Sequence, residues 1–138
     1  MRIFIDTNII VSAVLTTDST PWKAYDLAIS LPNQGIISYQ ILDELINTFH
    51  RKLPNHMHKL HHFLATSFLS LELVSVPKHV EDNEGYIRDV KDRPILRAAV
   101  KAKADIILTG DKDLLESGIT SPRIMTAREF LNLNDCEN

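Results

Sequence analysis

Short apolar runs and helix-spaced apolar positions take turns along this chain. Arg2-Ile-Phe-Ile-Asp6 is an apolar run closed by a carboxylate, and from Asp6 to Leu15 the spacing becomes helical, which predicts strand, turn and helix. Gly35-Ile-Ile-Ser38 reads as a second strand, with Ser38 placed to cap a helix whose apolar residues Ile41, Leu42, Leu45, Ile46 and Phe49 share one arc of about 140°. Asp43 and Glu44 flank that arc almost equally, so periodicity leaves open which of them points inward. Leu53 to Ser70 predicts one or two helices rich in histidine, and Leu71 to Val76, before Pro77, another strand. Pro94 suits the first turn of a helix that starts near Asp92 and turns Ile95, Leu96, Ala99 and Val100 inward, leaving Arg93, Arg97 and Lys101 on its other face. Asp105-Ile-Ile-Leu-Thr109 is strand-like, Gly110 breaks it, and Asp111-Lys-Asp113-Leu-Leu115 starts a short helix. Arg123-Ile-Met125 predicts a last strand, and Thr126-Ala-Arg-Glu129 has the capping-box spacing that announces a C-terminal helix.

Strands alternating with helices predict an α/β fold: an open parallel sheet with right-handed crossovers and helices on both faces. Ligands on such sheets bind beyond the carboxyl ends of the strands. Asp6 and Asp111 each stand at a predicted strand end, so the pattern brings them to one rim although they lie at opposite ends of the chain.

The length of 138 residues suits one domain with a substantial core, expected over residues 1–133, with 134–138 as a disordered tail. No apolar run approaches the roughly 20 residues of a membrane span, and Met1-Arg2 leads directly into strand-like sequence, so the expectation is a cytoplasmic protein without a signal peptide. The lone Cys136 offers neither a disulfide partner nor a second thiolate for zinc. A net charge of -3 argues against a generally basic nucleic-acid binder, but the average is uneven. From Arg88 to Lys103 stand Arg88, Lys91, Arg93, Arg97, Lys101 and Lys103 against Asp89 and Asp92, a local +4 that leaves -7 on the rest.

Carboxylates gathered on one rim repel one another, and the site must protonate some of them or bind a cation. Hard oxygen donors select Mg²⁺ or Mn²⁺, ions that activate water and clamp a phosphodiester for in-line attack. With that charge neutralised, the basic helix face is free to attract a polyanion. A plainer reading stands beside this one: Asp6, Asp92 and Asp111 each precede a helix and could be N-caps worth about 1 kcal/mol. The two readings are compatible, since a helix N-terminus favours an ionised carboxylate.

Ile3-Phe-Ile-Asp6-Thr7-Asn8 and Ile107-Leu-Thr109-Gly110-Asp111-Lys112-Asp113-Leu114 resemble the PIN-domain family, especially the VapC-like nucleases of toxin-antitoxin operons. The similarity extends to Leu42-Asp43-Glu44-Leu45, Asp89-Val-Lys-Asp92-Arg-Pro-Ile-Leu96 and Thr126-Ala-Arg-Glu-Phe-Leu131; only about Leu53 to Lys78 is unspecific. The resemblance implies a three-layer sandwich around a parallel sheet of about five strands. It selects Glu44 over Asp43 and implies that Asp6, Glu44, Asp92 and Asp111 surround Mg²⁺ or Mn²⁺. Asp113 is implied as an additional ligand or water-holder, Asp89 as a loop acid beside the site, and Asn8 and Thr109 as residues that orient the carboxylates. The implied activity is cleavage of RNA without a covalent intermediate, leaving 5′-phosphate and 3′-hydroxyl ends. Homodimers and a cognate antitoxin are the implied partners. Lys91 and Arg93 depart from the family pattern, in which further acids often flank Asp92.

Arg93, Arg97, Lys101 and Lys112, with Arg51 and Lys52 on the helix of Glu44, are the candidate RNA contacts. His58 and His62 have the spacing of a zinc pair, but a solvated lid helix over the RNA groove, or plain surface, accounts for them better. Trp22, Tyr25 and Leu27 fit base stacking, core or a dimer contact. Two other functions compete: a PIN-like scaffold that binds RNA or protein without cutting, and a receiver-like phosphoacceptor domain. Receivers, as a family, place paired acids at the first strand and the acceptor after the third, an order this chain does not follow.

Overall fold

The computed structural model describes residues 1–137. Its five strands, β1 (Arg2–Ile5), β2 (Gln34–Ser38), β3 (Leu71–Val74), β4 (Ile106–Leu108) and β5 (Arg123–Met125), form one sheet in the order β3-β2-β1-β4-β5 with every pairing parallel. The central strands are continuous apolar runs because both of their faces are covered. Ile3, Phe4, Ile5, Ile106, Ile107 and Leu108 are all fully buried. From β1 the chain moves outward through β2 to β3, then crosses back to β4 and β5 on the other side. Right-handed crossovers that reverse direction in this way put the connecting helices on opposite faces and leave a crevice at the carboxyl ends of β1 and β4.

Among the described residues seven α-helices accompany the sheet: α1 (Thr7–Leu15), α2 (Thr20–Ile29), α3 (Tyr39–Lys52), α4 (Met57–Ser67), α5 (Arg93–Lys101), α6 (Lys112–Leu115) and α7 (Ala127–Glu137). The expected caps are present. Ser38 Oγ accepts the Ile41 N–H at 3.1 Å, and Thr126 and Glu129 exchange two bonds of 3.2 Å as a capping box. Ile41, Leu45 and Phe49 anchor α3 in the core, as their spacing requires.

The apolar periodicity does not reveal α2. Its start carries a readable signal in Ser19-Thr20-Pro21: Ser19 Oγ accepts the Trp22 N–H at 3.2 Å and proline occupies the first turn. Ala24, Tyr25 and Ala28 turn inward, and α2 lies so close to β2 that a Cβ on Gly35 would meet the Ile29 side chain at 2.8 Å. At the C-terminus α7 continues past residue 133 to Glu137, into the stretch expected as a tail; Asn138 and the side chain of Cys136 lie outside the described residues. No helix among the described residues is long and apolar enough to cross a membrane.

Candidate functional site

Asp6 leaves the end of β1 and caps α1, its Oδ1 accepting the Thr7 N–H at 2.7 Å. Its other oxygen takes the Thr109 hydroxyl at 2.7 Å and the Asn8 amide at 3.3 Å. Thr109 is fully buried at the end of β4, and the same hydroxyl oxygen accepts the Asp111 N–H at 3.0 Å. Asn8 completes the bridge by accepting the Gly110 N–H at 3.1 Å. One threonine and one asparagine thus fasten the strand ends of β1 and β4 together, with a carboxylate on each. Asp111 also caps α6, its Oδ1 accepting the Asp113 N–H at 2.8 Å.

Asp6, Glu44, Asp92 and Asp111 line a single cavity of about 380 Å³ together with Thr7, Asn8, Val11, Ser12 and Thr48. Glu44 reaches it from α3 and accepts the Thr7 hydroxyl at 2.9 Å. Asp43 is not among the lining residues. Asp92 belongs to a second group as well, in which its carboxylate and those of Asp89 and Asp113 have oxygens within 4.8 Å of one another. It is the joint of the two acidic clusters.

Unlike Asp6 and Asp111, Asp92 does not cap the helix it precedes. Its Oδ2 is buried without any hydrogen-bond partner. Burial and the charges of Asp111, Asp89 and Asp6 push its carboxyl up to about 7. Burial likewise raises Asp6 to about 6, against the opposing bonds from Thr109 and Thr7 and with smaller contributions from Glu44 and Asp111. Like charges at this separation repel strongly in a partly desolvated crevice. The donor set is all oxygen and one buried oxygen is left over, which fits a hard divalent cation such as Mg²⁺ or Mn²⁺.

The basic stripe on α5 departs from expectation. Arg97 does not stand ready for RNA: its guanidinium grips Glu84 with two bonds of 2.6 and 2.8 Å, and Glu84 is only 5% exposed. Arg97 holds the Glu84 carboxyl down at about 2, overcoming the opposing effect of burial. Arg93 Nε donates to the Ile87 carbonyl at 3.0 Å and Lys101 Nζ to Ser75 Oγ at 3.1 Å. The sequence pattern did not single out Glu84, because an acid between polar loop residues carries no burial signal. Arg88 likewise pairs with Asp113 at 3.0 Å and Glu116 at 2.9 Å. Arg88 and Lys101 are nonetheless exposed, as are Arg51, Lys52 and Lys112.

A larger cavity of about 690 Å³ lies between α1, α2 and α4, away from these acids, and His58, His62, Trp22 and Tyr25 are among its lining residues. Tyr25 is a core residue, packed on Phe63 with ring centroids 5.2 Å apart and bonded through its hydroxyl to Ser67. Among the described residues no histidine joins a group of three possible metal ligands.

Comparison with known proteins gives the fold and the family. The chain is 30% identical over 118 residues to an uncharacterized protein of Methanocaldococcus jannaschii, a match covering 83% of this chain and 74% of that protein. Its fold superposes with a TM-score of 0.66 on a chain from the crystal structure of VapBC2 from Rickettsia felis bound to a DNA fragment from their promoter, at 21% identity, covering 91% of this chain and 98% of that one. The PIN domain family matches residues 2–113, a span that contains both acidic clusters and the bonds of Thr109 to Asp6 and of Asn8 to Gly110 that link the strand ends, and the chain belongs to that family.

Proposed function

We propose that the protein is a Mg²⁺- or Mn²⁺-dependent endoribonuclease acting in the cytoplasm as the toxin of a toxin-antitoxin pair. The observation that carries the enzymatic reading is the half-buried Asp92 carboxyl, whose Oδ2 is buried without a hydrogen-bond partner where two acidic clusters meet. A chain that kept such a group only for structure would set a partly desolvated carboxylate beside those of Asp6, Glu44 and Asp111 in one cavity, a costly arrangement. Asp6, Glu44, Asp92 and Asp111 would hold the ion, with Asp113 and Asp89 at its margin. Bound there, the ion supplies a polarised water and positive charge for the phosphodiester.

The chain's own residues orient and select. Thr109 and Asn8 fix the rotamer of Asp6, and Thr7 does the same for Glu44. Thr48 and Arg51 follow Glu44 on the same side of α3 at helical spacing, so an RNA strand leaving the acids meets a hydroxyl and then a guanidinium. Lys52 and Lys112 are the further candidate phosphate contacts. Hydrolysis adds the water's hydroxyl to phosphorus and a proton to the departing 3′ oxygen, leaving 5′-phosphate and 3′-hydroxyl ends. The likeness in fold to a chain of VapBC2 supports an antitoxin partner, and a homodimer is the assembly proposed for the chain itself.

End-labelled single-stranded RNA tests the reading. Cleavage should be absent in EDTA, return with Mg²⁺ or Mn²⁺, and leave 3′-hydroxyl ends. Cutting that resists EDTA and leaves 2′,3′-cyclic phosphate would replace it with acid-base chemistry of the histidines.

A further inference from the structure

Residues 75–92, which connect β3 to α5, carry Asp89 and end on Asp92. Among the described residues this stretch makes no backbone hydrogen bond to any strand. Its backbone bonds are local: Glu84 to Glu81, Tyr86 to Asn83, Ile87 to Glu84 and Asp92 to Asp89. A connection this long without a ladder is uncommon in a compact domain and needs other anchors. Three come from one face of α5, at positions four apart. Arg93 holds the Ile87 carbonyl, Arg97 the Glu84 carboxylate and Lys101 the Ser75 hydroxyl, so the connection runs antiparallel along the helix. The middle tie is bidentate and charge-assisted, and it ends on a carboxylate that also accepts the Glu81 N–H at 3.0 Å.

We propose that Glu84 and Arg97 are positioning residues for the acidic site, fixing the course of residues 84–92 so that Asp89 and Asp92 converge with Asp113. This inference rests on the reading of that site as a metal centre. Three carboxylates within 4.8 Å of one another repel, and the exposed Arg88 guanidinium on Asp113 offsets only part of that repulsion between their supporting segments. The bond from the Lys91 N–H to Asp89 is local to the turn. Ile87 is buried in the core and Arg88 reaches Asp113 and Glu116, but the Arg88 side chain is 69% exposed, so that tie is screened by solvent and the Glu84–Arg97 fork is the better-shielded charged tie. A bidentate pair about one turn into α5 ties residues 84–92 to the helix that begins at Arg93. Buried ion pairs contribute little net stability compared with apolar replacements, but they fix geometry, which is the property required here.

The test pairs the double variant Glu84→Met/Arg97→Met, which replaces the pair by apolar packing, with Arg97→Lys, which keeps the charge and loses the fork. Amide hydrogen exchange is measured on metal-free protein, and Mn²⁺ affinity by calorimetry. Exchange should quicken about tenfold over residues 82–92 while β1 and β4 stay protected, and Mn²⁺ should bind about tenfold more weakly, with Arg97→Lys between the double variant and wild type. Should the double variant fail to fold, Arg97→Lys carries the same comparison. Wild-type exchange over 82–92 with wild-type Mn²⁺ affinity in either folded variant overturns the inference, as does faster exchange spread evenly over β1 and β4. Wild-type protein that takes up no Mn²⁺ would remove the metal centre itself, and the positioning role with it.

Discussion

Thr109 donates its hydroxyl proton to Asp6, 103 positions away in sequence, across 2.7 Å inside the sheet edge. Because the same oxygen receives the Asp111 N–H, one buried hydroxyl sets the spacing between the acids of β1 and β4. The pairing of those strands brings the backbones together, and this bond converts their adjacency into an oriented pair of carboxylates.

Thr109→Val keeps the shape of the side chain and removes both bonds. It leaves Asp6 without its shortest side-chain partner and the Asp111 N–H unpaired. Urea denaturation should register a loss of about 1 to 2 kcal/mol, and RNA cleavage should slow tenfold or more. Wild-type stability and rate in this variant would show that the bond orients nothing.

The metal-free acids also carry a pH signature. Burial and the neighbouring acids push the Asp92 carboxyl up to about 7, and chiefly burial pushes Asp6 up to about 6, against 3.8 for an ordinary aspartate. A carboxyl raised by folding favours the folded state fully below its unfolded value and loses that benefit as pH climbs to the folded one. Asp92→Asn should therefore gain thermal stability relative to wild type as pH rises from about 4 to about 7 in EDTA. Saturating Mn²⁺ should abolish that advantage by stabilising wild type alone. A melting-temperature difference that stays flat with pH would mean Asp92 is not strained by its neighbours.

Of the basic residues, α3 and α5 should behave differently toward RNA. Replacing Arg51 and Lys52 by Glu should weaken binding and flatten its salt dependence, by about 0.7 in log-log slope for each phosphate no longer neutralised. Lys101→Ala, which removes a tether to Ser75, should leave the slope unchanged. The opposite ranking would return α5 to the nucleic-acid surface.

Much of this architecture was readable because the strands are buried on both faces and the helices are amphipathic. The runs at Ile3–Ile5 and Ile106–Leu108 and the arc of α3 record their surroundings directly. The caps at Ser38 and Thr126 were legible for the same local reason, as was the placing of Asp6 and Asp111 at strand ends. Between Asp43 and Glu44 the helical period was indifferent; the family resemblance selected Glu44, and Glu44 is the one that lines the cavity. The stripe of Arg93, Arg97 and Lys101 was visible, but not what it faces. A cationic face looks the same from sequence whether it meets RNA or an anionic loop of its own chain, and Glu84 lies far enough upstream that no spacing rule connects it to Arg97. Helix α2 escaped because its inward residues Ala24, Tyr25 and Ala28 include two alanines, which mark a close-packed face only weakly.

Calorimetric titration of Mn²⁺ into wild-type protein, Asp6→Asn and Asp92→Asn, each checked for native circular dichroism, probes the proposed metal centre most directly. Wild type should take up the ion, and each variant should bind it at least tenfold more weakly while remaining folded. No uptake by wild type even beside a non-cleavable single-stranded RNA, or equal uptake by all three proteins, would contradict a metal centre built on these acids.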